Sequence, residues 1–226
     1  MYYHEHSRGI VFASHIDGIV SRGSGFQLDE EYIADYLCYG NHHGERTPYA
    51  EIRRLTPGTS ISYSDQGLAR NECWTICDSE RIEYSDTRDY EDHLRTLITT
   101  AVDASIPTQG KTWCELSGGL DSSTVVCTAA QVRDAQDLRA VSFVYPESHT
   151  ADESGWIGAV IEKCGVPWLA LDRDAARPFT ELPIDFCGQP YHAMINVASN
   201  RLFGKVIAEN NVDVVLTGSG GDAVPR

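Results

Sequence analysis

From residue 86 to the end, helix-periodic and strand-like segments alternate along the chain, and this alternation restricts the fold more than any other feature. Tyr90, Leu94, Leu97, Ile98, Ala101 and Val102 form one apolar stripe at helical spacing. Asp86, Asp89, Glu91 and Asp92 crowd its first turn, where carboxylates complement the helix dipole. A strand is predicted over 112–116, followed by a glycine turn and a helix to about Arg133. Residues 139–145 read as a buried strand. Residues 152–164 read as a helix with Trp156, Ile157, Val160, Ile161 and Cys164 on one face, and 166–171 as a short strand. A connection with Pro178, Pro183 and Pro190 leads to a helix over about 194–209 and a last strand over 212–216. The expectation is an α/β domain: a parallel sheet with right-handed crossovers and helices on both faces. Ligands of such sheets bind at the carboxyl ends of the strands, near a switch in strand order.

Two glycine turns fall at such ends. The first, Ser117-Gly118-Gly119-Leu120-Asp121-Ser122-Ser123, separates Trp113-Cys114-Glu115-Leu116 from a helix-like run. Unpaired N–H groups at a helix start, with glycines that let the backbone approach closely, make a seat for a polyphosphate. The hydroxyls of Ser117, Ser122 and Ser123 can donate further bonds, and Asp121 offers a carboxylate where phosphate-bound magnesium would sit. A lone Gly-Gly here is ordinarily just a turn. The full string in its strand–turn–helix context points to ATP. The second turn, Thr217-Gly218-Ser219-Gly220-Gly221-Asp222, follows Val214-Val215-Leu216. Alone it too is ordinary. On the same rim as the first, it pairs Asp121 with Asp222 as a two-carboxylate magnesium seat. Gly110-Lys111-Thr112 is no Walker loop: Ser105 stands where the opening glycine belongs, and the tripeptide precedes its strand.

Residues 1–77 differ in character. Strand-like stretches at 10–13 and 60–63 lie between Gly, Pro and Asp turns, with a helical stretch at 29–37. The expected organisation is a small module over 1–77, an acidic linker over 78–85 and the α/β domain over 86–226. Eighteen basic against 33 acidic residues give a net charge of −15, which disfavours nucleic-acid and anionic-membrane partners. No apolar run is long enough for a membrane helix, and the start lacks the basic stretch and apolar core of a signal peptide. The seven cysteines, at 38, 73, 77, 114, 127, 164 and 187, read as free thiols of a reducing compartment, so a cytoplasmic location is expected. Neither Cys73/Cys77 nor His42-His43 has a matching ligand cluster.

Residues 117–123 together with 214–222 resemble the synthetase domain of asparagine synthetase and its relatives. These are PP-loop ATP pyrophosphatases of the adenine nucleotide α-hydrolase-like fold, and they include β-lactam synthetase and lasso-peptide cyclases. The likeness extends to Ala151-Asp152-Glu153. Residues 8–76 resemble the tail of the family's Ntn-type glutaminase domain through Phe12-Ala13-Ser14, Ile52-Arg53-Arg54-Leu55-Thr56-Pro57-Gly58 and Trp74. That implies a small, mostly β remnant ahead of the sheet. GMP and NAD synthetases share the Ser-Gly-Gly-x-Asp-Ser core but not this upstream module.

The resemblance implies roles residue by residue. Leu116, Thr217 and Gly218 match positions that hold adenosine, and Tyr145 or Val144 would line the adenine pocket. Ser117, Gly118, Gly119, Asp121 and Ser122 match the pyrophosphate loop, and Asp121 with Asp222 the magnesium carboxylates. The implied function is ATP-dependent amide formation on a small-molecule or peptide carboxylate, with ATP and Mg2+. Two departures narrow it. Position 2 is Tyr2 where the glutaminase has its cysteine, so glutamine hydrolysis is not expected. Ala223-Val224-Pro225 replaces the usual acidic and aromatic residues, and the family's later helical segment does not follow Arg226. Lactam or lasso-peptide closure is the alternative, or an inactive fragment whose exposed apolar surface would favour a homo-oligomer or a complementing subunit.

Overall fold

The computed structural model describes residues 1–40, 44–75, 82–148, 150–181, 188–190 and 195–221. The chain divides into two compact units, Met1–Arg81 with Leu182–Ile195, and Ile82–Glu181 with Asn196–Arg226.

In the first unit, β1 (Tyr2–His6) pairs antiparallel with β2 (Gly9–Ala13) and β3 (Arg53–Arg54). The short helix α1 (Asp17–Val20) and the longer α2 (Glu30–Tyr39) follow β2. Asp29 caps α2 by accepting the Tyr32 N–H, and Gly40 ends it in the left-handed conformation. Tyr2, Ile16, Ile19 and Ile52 form the core of this unit. A hairpin of β4 (Thr59–Ser64) and β5 (Gly67–Glu72) completes it. The sequence of β5, Gly-Leu-Ala-Arg-Asn-Glu, is too polar to show an alternating pattern, so only its partner was legible as a strand.

The second unit opens with α3 (Thr87–Ser105), N-capped by Asp86. The order is then β6 (Thr112–Glu115), α4 (Leu120–Val132), β7 (Leu138–Val144), α5 (Ser154–Cys164), β8 (Trp168–Asp172), α6 (Val197–Glu209) and β9 (Val214–Leu216). Each lies within a few residues of its sequence-based expectation. The four strands pair in parallel in the order β8-β7-β6-β9.

Strand periodicity divides the core between two faces. Cys114, Leu116, Leu138, Ala140 and Leu216 pack with Val102, Val126, Ala129 and Ile157 from α3, α4 and α5. Trp113, Val141, Phe143, Leu171 and Val215 face Leu202, Phe203, Val206 and Ile207 of α6. The chain steps from β6 to β7 to β8 with α4 and α5 on one face, then reverses to β9 with α6 on the other. Changing direction and face together keeps a single crossover handedness. The reversal makes the gap between β6 and β9 the switch point of the sheet.

One expectation needs correcting. The α3 stripe is not uniformly core: Val102 is buried, whereas Tyr90, Leu94 and Leu97 are exposed. A helix of 19 residues runs about 28 Å, against about 13 Å for the four-residue β6, so its N-terminal half overhangs the sheet. Trp156, expected on the packed face of α5, is likewise 71% exposed.

Candidate functional site

The first glycine turn joins the carboxyl end of β6 to α4. The strand continues by one backbone bond, from the Leu116 N–H to the Val141 carbonyl (2.9 Å), before the chain turns. Ser122, buried on the first turn of α4, organises the loop. Its Oγ accepts the Ser117 N–H at 3.1 Å, lies 3.0 Å from Ser117 Oγ and donates to the Gly119 carbonyl at 3.2 Å. Ser117 Oγ in turn accepts the Gly119 N–H at 3.3 Å. These bonds hold the loop in one shape. Unlike α2 and α3, α4 has no side-chain cap. Among the described residues no acceptor meets the N–H groups of Gly118, Leu120 and Asp121. Donors left free at a helix start are suited to an anion.

Gly118 adopts φ +86°, and a Cβ there would lie 3.2 Å from the Cβ atoms of Glu153 and Trp156. The start of α5 thus packs against the loop, and Asp152 fixes that start by accepting the Ser154 N–H (3.1 Å) and hydroxyl (2.9 Å). This gives the Ala151-Asp152-Glu153 segment a positioning role.

The second glycine turn, after β9, is folded against the first. A Cβ on Gly218 would lie 2.5 Å from the Ser122 nitrogen and 2.7 Å from the Asp121 carbonyl carbon. One on Gly221 would fall 2.4–2.7 Å from the Asp121 carboxylate atoms. Only glycine permits two backbones to approach so closely. The turn is closed by a Gly221 N–H to Gly218 carbonyl bond of 3.3 Å, and Thr217 Oγ1 accepts the Ser219 N–H at 3.3 Å.

Between the two turns lies a pocket of about 390 Å³, lined by Glu115, Ser117, Gly119, Leu120, Asp121, Ser122, Gly218 and Ser219. This volume is within the range of small-molecule sites. Among the described residues two carboxylates line it and no basic side chain does. Neither carboxylate has a hydrogen bond or ion pair among the described residues.

The sequence-named residues are placed unevenly around this pocket. Ser117, Gly119, Asp121, Ser122 and Gly218 line it, and Gly118 and Thr217 adjoin it in the two turns. The Leu116 side chain is wholly buried in the core, which leaves only its backbone for a ligand. Ser123 instead lines an apolar groove of about 660 Å³ bounded by Leu94, Ile98, Trp156 and Val160. Tyr145 and Val144 sit at the carboxyl end of β7, beside β6, outside the pocket lining. Asp222, Ala223-Val224-Pro225, His42-His43, Cys77 and Cys187 lie outside the described residues. Lys111 sits at the opposite end of β6, where its N–H donates to Asp213 Oδ2 and its Nζ to the Asn210 carbonyl, both at 2.8 Å. The sequence reading missed Glu115 and Ser219. The signal for Glu115 was its place as the last residue of β6, immediately before Leu116 and the loop.

A profile of the asparagine synthase family matches residues 93–225, more than half of the chain. The chain belongs to the asparagine synthase family. This is a family of ATP-dependent synthetases whose members use ATP, typically with Mg2+. The match contains both glycine turns and every strand of the parallel sheet. No curated protein matches the chain. Among solved structures the chain is similar to an NH3-dependent NAD synthetase from Campylobacter jejuni in complex with the nitrate ion. The identity is 16% and the TM-score 0.38, with 58% of this chain and 56% of that chain covered. The chain therefore spans little more than half the length of that protein. Among the described residues no helix is long and apolar enough to cross a membrane.

Proposed function

We propose that this chain carries the adenylating core of an amide-forming synthetase, with ATP and a carboxylic acid as substrates. A substrate carboxylate oxygen attacks the α-phosphorus of ATP, the bond to the β-phosphate bridge breaks, and pyrophosphate leaves as an acyl-adenylate forms. An amine then attacks the acyl carbon, and AMP departs as the amide forms.

The observation that carries this reading is the interlock of the two glycine turns at the switch point between β6 and β9. The loop over 117–119 and the start of α4 supply backbone donors to the phosphate chain, in a shape held by the Ser117 and Ser122 hydroxyls. Donors fixed before the ligand arrives stabilise developing charge on the leaving pyrophosphate without reorganisation. Because the described lining residues include no Lys or Arg, neutralisation of the triphosphate falls, in this reading, to these amides and to a divalent cation. Asp121 is the described residue suited to hold magnesium, with Asp222 as its proposed partner on the second turn. When bound, the metal would withdraw charge from the leaving phosphates.

Closure of a lactam or a lasso-type peptide ring is a second reading, favoured by Ala223-Val224-Pro225 after Asp222. Isothermal titration of the 226-residue chain with Mg-ATP tests the shared core of both readings, and absence of binding rejects it. Pyrophosphate exchange separates them: aspartate-dependent exchange supports asparagine formation, and exchange that needs a peptide acid supports cyclisation.

A further inference from the structure

We propose that Glu115 is the residue that reads the sugar of the nucleotide, by accepting hydrogen bonds from its ribose hydroxyls. This rests on the ATP reading above and assigns a role to a side chain that reading leaves unused.

Glu115 is the last residue of β6, half-buried, and lines the same pocket as Ser117, Asp121 and Gly218. Among the described residues its carboxylate meets no cation and no hydrogen-bond donor. A second free carboxylate is a liability in a pocket for a triphosphate. Like charges held together in a partly desolvated pocket repel one another far more than they would in water. A carboxylate in that place therefore needs either a metal ion or a part of the ligand that carries donors and no charge.

The strand decides between these. Successive β6 side chains alternate, with Cys114 and Leu116 in the core shared with α4 and Trp113 in the core facing α6. Glu115 shares the parity of Trp113 and so leaves the strand on the α6 face. The free amides and Asp121 belong to α4, which packs on the other face. The free amides thus approach the shared pocket from the α4 side of the β6 tip, and the Glu115 side chain enters it from the α6 side. An ionised carboxylate only accepts. Away from the phosphates, ATP offers it two neighbouring ribose hydroxyls, a donor pair that two carboxylate oxygens can meet together. An acidic residue doing this is a recurrent solution in doubly wound nucleotide sites.

The test is Mg-nucleotide titration of the full chain with ATP, 2′-deoxy-ATP and 3′-deoxy-ATP, repeated with Glu115→Gln and Glu115→Ala. The wild-type chain is expected to bind ATP about tenfold or more tightly than either deoxy analogue, as befits hydrogen bonds to a charged group. In both variants the preference should shrink to within about twofold, mainly through weaker ATP binding. If wild type binds ATP and the analogues equally, the proposal fails without recourse to the variants. If the preference survives in folded Glu115→Gln and Glu115→Ala, it also fails. Should the variants change the magnesium dependence and leave sugar preference intact, Glu115 is a metal ligand and the proposal is overturned. If the wild type binds no Mg-ATP at all, the nucleotide reading itself falls, and that result is distinct from the others.

Discussion

Replacing Gly218 with alanine adds one methyl group where the two turns come closest. The new Cβ would lie 2.5 Å from the Ser122 nitrogen, 2.7 Å from the Asp121 carbonyl carbon and 2.9 Å from the Ser122 Cα. All three are backbone atoms, so no side chain can rotate away. Ordinary carbon contacts lie at about 3.5–4.0 Å, so the β9 turn must retreat from the start of α4 by about 1 Å. Overpacking of this kind costs about 1–3 kcal/mol, which leaves the fold standing. The functional loss should be larger. A displacement of about 1 Å between groups that position a reacting phosphate costs on the order of 100-fold in rate. Urea denaturation measures the first effect, and kcat/KM for pyrophosphate exchange, with Mg-ATP titration beside it, measures the second. Gly158→Ala serves as a control. Gly158 is an exposed residue inside α5 with nothing within 4 Å of a new Cβ, so alanine there should stabilise by about 1 kcal/mol and leave exchange unchanged. If Gly218→Ala exchanges pyrophosphate and binds Mg-ATP as wild type does, the turns do not interlock as described and the site argument is wrong.

Other outcomes follow from the same geometry. Ser122→Ala removes the acceptor of the Ser117 N–H and the donor to the Gly119 carbonyl, and should lower stability by about 1–3 kcal/mol in urea denaturation. Asp121→Asn should raise the magnesium concentration needed for half-maximal ATP binding at least tenfold without changing the thermal midpoint of the free protein by more than a few degrees; an unchanged requirement would place the metal elsewhere. Burial pushes the Cys114 thiol up to about 12 from its ordinary 9, so the native state holds that proton more tightly than the unfolded chain does. The linked stability is intact below pH about 9 and declines between there and about 12, a slope that urea titrations across this range would show. For the same reason Cys114 should resist a thiol reagent at pH 8 in the native protein, whereas exposed Cys38 and Cys73 react at once.

The sequence by itself determined the elements of the sheet unit and the two glycine turns at their ends. Period-two apolar runs, an apolar stripe with an acidic first turn, and glycines between strand and helix are local signals, and they reported local structure to within a few residues. The same signals failed where burial depends on what lies opposite. Leu94 and Trp156 have the spacing of core residues, yet both line a surface groove and are exposed. Leu116 and Ser123 belong to one contiguous motif, but the strand sends Leu116 into the core and α4 carries Ser123 toward the apolar groove. No local pattern could show that β9 joins β6 rather than β8, because strand order is set by long-range pairing and crossover handedness. Only that order brings Gly218 and Gly221, about 100 residues along the chain, against Asp121 and Ser122. It also turns Glu115, an unremarkable strand residue in the sequence, into a pocket carboxylate.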